Sequence, residues 1–281
     1  MRKRLKKLIK LLPRWTIKNY ILFESSPDLA DNTRAVFDEM LKRGVNKKYK
    51  LIWLVRDTKI KREKIKNVKY VSKTGIKKFR YLLFAKCGIC CNEKIYAYRK
   101  GQYSVFLCHG IPVKSTRVAP GEINVGITNW ITTSEKAKEI FSYEFHAEMS
   151  KGEILGYPRN DALLSKKIDL HDFFDVDFDK LVVWYPTFRQ NRGGVSASDS
   201  NCAVPIIHNE SNAIEINEFA KKKKILIVMK PHFAQDINYI KDLSLSNIVF
   251  IDDKFLADKR LLSYEFVGAS DALLTDYSSI Y

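Results

Sequence analysis

Short apolar runs alternate with longer polar or amphipathic stretches along this chain, and the alternation occurs in two blocks. In the first block Ile21-Leu22-Phe23, Lys50-Leu51-Ile52-Trp53-Leu54-Val55 and Val68-Lys69-Tyr70-Val71 read as strands. Helices are expected over about residues 33–43 and 75–84, the first opened by the capping side chains of Asp31-Asn32-Thr33. Residues 101–110 form a further strand running into a loop, and Ile131-Thr132-Thr133-Ser134 is a strand followed by a capped helix. The second block has Leu181–Pro186, Ile225–Met229, Ile248–Ile251 and Ala272–Leu274 as its strands, with residues 190–213 as a loop insertion containing Gly, Ser and Asn. Strand alternating with helix points to parallel sheets covered on both faces, hence an α/β fold. Between the blocks Asp169, Asp172, Asp175, Asp177 and Asp179 collect in Lys-poor sequence, the expected linker.

With 281 residues, 46% hydrophobic, the chain can bury a core in each block. Its net charge of +17 calls for an anionic partner: nucleic acid, a phospholipid surface or a phosphorylated substrate. Residues 1–20 carry eight bases and no acid, and Leu5, Leu8, Ile9, Leu11 and Leu12 recur among them at helical spacing. Such an arm suits an anionic membrane surface, and is too short and too charged to span a bilayer. A solvated basic helix is the plainer reading. No secretory signal pattern is present, so a cytoplasmic chain is expected, peripheral at the membrane face. No nucleic-acid recognition motif accompanies the charge, and nucleic acid is not an expected partner.

Five cysteines, Cys87, Cys90, Cys91, Cys108 and Cys202, are an odd number with three crowded together, unlike a disulfide framework. Cys87-x2-Cys90 lacks a second ligand pair at usable spacing, so buried thiols are expected and no metal.

Chemistry gathers at strand ends. His109-Gly110-Ile111-Pro112-Val113-Lys114, Pro186-Thr187-Phe188-Arg189, Lys230-Pro231-His232 and Asp276-Tyr277-Ser278-Ser279 each follow an apolar run. In open parallel sheets ligands bind outside the carboxyl ends of strands, so these four would share one cleft if the halves pack tip to tip. Each alone has a plain structural reading: a hydrogen-bonded His, a strand-ending Lys-Pro, an Arg paired with an acid, serines capping a helix. Together they hold what phosphoryl transfer needs, namely a base for a hydroxyl proton, cations for phosphate oxygens and hydroxyl donors.

Six motifs in order resemble the CDP-glycerol glycerophosphotransferases, the family that builds teichoic acid and related capsular polymers. They are Phe23-Glu24-Ser25 with Asp31-Asn32, Cys108 to Lys114, Gly156-Tyr157-Pro158-Arg159-Asn160-Asp161, Pro186 to Arg189, Lys230 to His232, and Thr275 to Ser279. The resemblance implies a GT-B-like fold with two Rossmann-like domains facing a cleft: an acceptor-side domain over 21–165, a linker over 166–180 and a CDP-glycerol-side domain over 181–281 after the arm 1–20. The family continues beyond the last motif, so this second domain is expected to be incomplete.

The implied reaction moves glycerol phosphate from CDP-glycerol to a hydroxyl of a lipid-linked glycerol-phosphate or polysaccharide acceptor, releasing CMP, with no cofactor beyond the donor substrate. His109 would be the base and His232 would act at the donor pyrophosphate. Lys114, Arg189, Lys230, Asp276, Ser278 and Ser279 would bind substrate. Arg159, Asn160 and Asp161 would be structural, locking an interdomain loop. Ile111 stands where the family usually has Thr, removing a hydroxyl from the first strand-end motif. An inactive remnant of such a transferase, or a ribitol-phosphate or sugar transferase, would carry the same strand-end residues.

Overall fold

The structure, a computed structural model, describes residues 13–59, 62–111, 126–164, 168–186, 204, 206–207, 209–231, 237, 240, 243–276 and 280. It divides into two compact units, Met1–Asp161 and Ala162–Tyr281.

The first unit is built on seven strands: β1 (Lys18–Glu24), β2 (Lys50–Val55), β3 (Val68–Ser72), β4 (Ala85–Cys90), β5 (Tyr103–Phe106), β6 (Asn129–Thr132) and β7 (Gly152–Ile154). They form one sheet in the order β3-β2-β1-β4-β5-β6-β7, every neighbouring pair parallel. The chain steps outward from β1 to β3, then crosses back to lay β4 on the other side of β1. Strand order therefore reverses between β1 and β4, whose ends are in register at Glu24 and Cys90. In α/β sheets that reversal opens a crevice at the carboxyl ends.

Burial explains the strand composition. Leu51 to Val55 are all fully or almost fully buried, as expected of a central parallel strand covered on both faces. Helix α1 (Asp31–Lys42) seats Phe37 against Phe23 and Trp53, with ring centroids 5.3 and 5.5 Å away. Helix α2 (Gly75–Phe84) runs directly into β4 with no intervening loop. The Ala, Cys and Gly content of β4 has a steric cause: a Cβ on Gly88 would come within 2.3 Å of Ile95 Cγ2, so the following segment lies directly over the strand. Helix α3 (Glu135–Phe145) is capped by Ser134, whose hydroxyl accepts from the Ala137 N–H, and stacks Phe141 on Trp130 at 4.6 Å.

The second unit repeats the plan at smaller scale. Strands β8 (Lys180–Tyr185), β9 (Ile225–Met229), β10 (Ile248–Phe250) and β11 (Ala272–Thr275) are parallel in the order β10-β9-β8-β11. Here the reversal falls between β8 and β11. Side chains of β8 alternate between two cores: Leu181, Val183 and Tyr185 pack with Leu226, Val228 and Phe266, whereas Trp184 packs with Met229, Ile248 and Ala213. Helices α4 (Glu210–Lys222), α5 (Asp253–Asp258) and α6 (Ser263–Ala269) complete the unit, α4 capped by Asn209 and α5 by Asp252.

The acidic stretch after residue 167 is more than a tether. Leu170 and Phe178 are buried in the second core, and His171 stacks on Phe178 at 4.1 Å. Its aspartates face outward between these apolar anchors, which is why composition alone gives the stretch a linker's appearance.

Candidate functional site at the carboxyl edges of the sheets

The reversal between β1 and β4 in the first unit is surrounded by polar side chains. Glu24 ends β1 and is almost fully buried; its carboxylate accepts from the main-chain N–H groups of Asn92 and Glu93 at 3.2 and 2.8 Å. Lys73, also buried, places Nζ 3.0 Å from Glu24 Oε1, 3.2 Å from Asp28 Oδ1 and 2.6 Å from the Ser25 carbonyl oxygen. Burial raises the Glu24 carboxyl above its ordinary 4.5, and the hydrogen bond and charge of Lys73 oppose that rise. The loop after β1 is further tied by Ser26 N–H to Asn92 Oδ1 at 2.8 Å and by Ala30 N–H to Ser25 Oγ at 3.0 Å.

The N-cap residue of α1, Ala30, makes no side-chain cap; Asp31 Oδ1 accepts from the Asn32 N–H at 2.7 Å, and both side chains also reach distant partners. Asn32, fully buried, donates from Nδ2 to the carbonyls of Leu107 and Cys108 at 3.2 and 2.9 Å and accepts at Oδ1 from the Arg159 N–H at 3.2 Å. Asp31 Oδ1 accepts from Arg159 Nη1 at 2.6 Å, and the same Nη1 donates to the His109 carbonyl at 3.0 Å. Asp31 and Cys108 both adopt left-handed backbone, φ 63° and 55°. For a non-glycine residue that costs about 1–3 kcal/mol, so the surrounding bonds must hold it.

His109 is exposed on the loop after β5, and its Nδ1 lies 3.1 Å from the Cys91 carbonyl oxygen. A carbonyl only accepts, so Nδ1 carries the hydrogen and the lone pair of the neutral ring sits on Nε2. A lone pair on the Nε2 of an exposed imidazole is what proton abstraction requires.

The neighbouring thiols are inert. Cys90, Cys91 and Cys108 are buried, and desolvation pushes the Cys91 thiol up to about 12. Among the described residues no group of three or more His, Cys, Asp and Glu is placed to hold a metal ion.

In the second unit Thr275 ends β11 and its Oγ1 donates to the Tyr185 carbonyl at 2.7 Å, closing the β8–β11 edge. Asp276 follows it, half-buried at the strand-order reversal. Lys230 follows β9: its N–H donates to the Trp184 carbonyl at 2.9 Å, and its Nζ lies 2.8 Å from Asp253 Oδ1 and 5.6 Å from the centre of the Tyr185 ring. Burial raises the Tyr185 phenol above its ordinary range.

Of the residues singled out from sequence, His109 and Arg159 lie together at the carboxyl edge of the first unit, and Lys230 and Asp276 follow strands β9 and β11 at that of the second. Asn160 and Asp161 are exposed, with the Asn160 N–H closing a turn on Tyr157 O at 2.9 Å. Lys114, Arg189, His232, Ser278 and Ser279 lie outside the described residues. Sequence reasoning passed over Lys73, one basic residue among many. It also missed the further partners of Asp31 and Asn32, which lie 75 or more positions away.

A family model described as CDP-Glycerol:Poly(glycerophosphate) glycerophosphotransferase matches residues 7–281. A teichoic acid glycerol-phosphate transferase of Staphylococcus aureus (strain NCTC 8325 / PS 47) is 25% identical over 305 residues, spanning 96% of this chain and 72% of the relative. A teichoic acid poly(glycerol phosphate) polymerase of Bacillus spizizenii (strain ATCC 23059 / NRRL B-14472 / W23) is 23% identical over 304 residues, spanning 98% and 73%. The solved structure of the wall teichoic acid polymerase TagF superposes with a TM-score of 0.68 at 19% identity, covering 98% of this chain and 70% of that one. This likeness carries the fold, and the expected α/β, GT-B-like class with Rossmann-like units is borne out. Because the family model spans all but the first six residues, and two transferases of glycerol phosphate align along almost the whole chain, the chain belongs to the CDP-glycerol:poly(glycerophosphate) glycerophosphotransferase family.

Proposed function

We propose that this chain transfers glycerol phosphate from CDP-glycerol to a hydroxyl of a lipid-linked or polymeric acceptor, with release of CMP, in the synthesis of teichoic acid or a capsular polymer. The acceptor oxygen attacks the β-phosphorus, a new P–O bond forms, the bond to the bridging oxygen breaks and CMP leaves with that oxygen. The observation that carries the reading is the exposed His109, whose Nδ1–H is committed to Cys91 O so that Nε2 holds the lone pair for the acceptor proton. Family membership supplies the donor class.

The charge of each edge supports a division of labour. At the first unit's edge the amino end of α1 already faces the Asp31 carboxylate, and Asp28 and Glu24 stand nearby, so a neutral hydroxyl suits it better than a pyrophosphate. The second unit offers Lys230 and Asp276, to which the sequence adds Arg189, His232, Ser278 and Ser279 for the donor. Lys114 follows His109 as a further cation for substrate. Arg159, Asn160 and Asp161 take structural parts.

The arm at residues 1–20 is the feature that supports peripheral attachment to an anionic membrane at the cytoplasmic face. Among the described residues no helix is long and apolar enough to cross a membrane.

CMP release from CDP-glycerol with a glycerol-phosphate-primed lipid acceptor tests the function. Acceptor-dependent CMP release that falls about 100-fold or more in His109→Ala is the expected result; a folded wild-type chain that releases no CMP with any acceptor would refute it.

A further inference from the structure

Arg159 occupies an unusual place for a residue in a turn. The turn Pro158–Leu164 exposes Asn160 and Asp161, yet Arg159 points inward and only 7% of its surface is exposed. Its main-chain N–H meets Asn32 Oδ1 at 3.2 Å, while Nη1 meets the Asp31 carboxylate at 2.6 Å and the His109 carbonyl at 3.0 Å. Asn32 holds the two preceding carbonyls, Leu107 and Cys108. Three successive carbonyls, 107 to 109, are therefore fixed by side chains from α1 and from the Pro158 turn. The middle residue, Cys108, is in left-handed backbone, and its Sγ donates to Ile131 O at 3.2 Å. A backbone in that conformation relaxes once its restraints are removed, and the residue carried along with it is His109.

We propose that Arg159, held by Asp31, is a positioning residue for His109: it fixes the loop so that the ring reaches Cys91 O with Nδ1 and presents Nε2 outward. The inference rests on His109 acting as the base. Asp31 neutralises the buried guanidinium and aims Nη1 at the His109 carbonyl, a fixed fork that a lysine ammonium does not reproduce.

The test is a mutant cycle read by CMP release, with Arg159→Ala and Arg159→Lys made in both the wild-type and His109→Ala chains. Arg159→Ala is expected to lower kcat about 10–100-fold while leaving the KM for CDP-glycerol within about twofold, the loss expected of a displaced reacting group. In the His109→Ala background the same substitution is expected to cost less than about twofold, because the residue it positions is gone. Arg159→Lys is expected to recover only part of the loss, and added guanidinium ion to restore part of the Arg159→Ala activity.

Nitrogen-15 spectra of the histidine rings, with the His109 signals assigned by their absence in His109→Asn, give a readout independent of turnover. The Nδ1–H form should dominate in the wild type and mix with the Nε2–H form in Arg159→Lys. Equal losses in both backgrounds, or His109 ring signals identical in wild type and Arg159→Lys, would overturn the proposal. If Arg159→Ala does not fold, Arg159→Lys and Asp31→Asn carry the same comparisons. A wild-type chain that releases no CMP counts against the transferase assignment, and the ring spectra still decide whether Arg159 positions His109.

Discussion

His109 Nδ1 lies 3.1 Å from the carbonyl oxygen of Cys91, so the loop after β5 is tied to the residue just past β4. In the neutral ring that bond puts the hydrogen on Nδ1 and the lone pair on Nε2. Removing the imidazole is expected to lower kcat about 10²–10⁴-fold, the usual contribution of a general base. Because the ring is exposed, His109→Ala should melt within a degree or two of the wild type, an order-of-magnitude allowance for a surface change. CMP release and a thermal melt on one sample check both halves.

Lys73 is the counter-charge to two carboxylates, Glu24 and Asp28, in a buried setting. Lys73→Met keeps the stem and deletes the charge, leaving acids without their cation, a loss of about 3–5 kcal/mol in urea unfolding. The pH dependence has a definite sign. The folded Glu24 carboxyl titrates above its ordinary 4.5 because burial disfavours the charged form. Its contribution to stability is full below 4.5 and is lost as pH rises through the folded value. Lys73 limits that loss, so the deficit of Lys73→Met should shrink on acidification toward pH 4.5. A deficit that grows on acidification would contradict this account of the pair.

Gly152 opens β7 beneath the Trp130 ring, where a Cβ would lie 2.5 Å from Cζ2. Trp130 is fully buried and its Nε1 donates to Glu148 O at 3.2 Å, so the ring has little room to yield. Gly152→Ala should therefore destabilise by about 1–3 kcal/mol, the range for overpacking, as read by urea unfolding.

The buried thiols should resist alkylation. With Cys91 pushed up to about 12 and Cys90 and Cys108 raised by the same desolvation, almost no thiolate exists near pH 8. Iodoacetamide followed by peptide mass spectrometry should leave Cys90, Cys91 and Cys108 unmodified in the native chain and label all three after denaturation. Native labelling of Cys91 would contradict the burial.

If residues 1–20 attach the chain to lipid, flotation with anionic vesicles should carry the whole chain upward and leave a chain lacking that arm at the bottom. The effect should weaken with added salt, since the attraction is screened over about 10 Å at 0.1 M. Equal flotation by both chains would remove the arm's role.

The sheets were legible in sequence wherever burial on both faces demanded a continuous apolar run, as in Leu51 to Val55 and Ile225 to Met229. Strand β4 carries no apolar run that marks it, because the overlying Ile95 segment forces small residues into it, and β7, three residues at a sheet edge, carries little pattern. His109 was legible as a polar residue after a strand. The link from Asp31 through Arg159 to His109 was not, since it spans 128 and 50 positions and no local periodicity encodes it. Asp31 and Asn32 have the composition of helix caps, and only the tertiary fold turns them toward Arg159 and the Leu107–Cys108 carbonyls.

The central claim is a transfer of the β-phosphoryl group together with glycerol. CDP-glycerol labelled at the β-phosphorus, incubated with the chain and a glycerol-phosphate-primed acceptor, tests it most directly. The account requires the label to appear in acceptor enlarged by one or more glycerol phosphate units, with CMP unlabelled and with the transfer slowed about 100-fold or more in His109→Ala. Label that stays with the nucleotide, or transfer that is unchanged in His109→Ala, would contradict it.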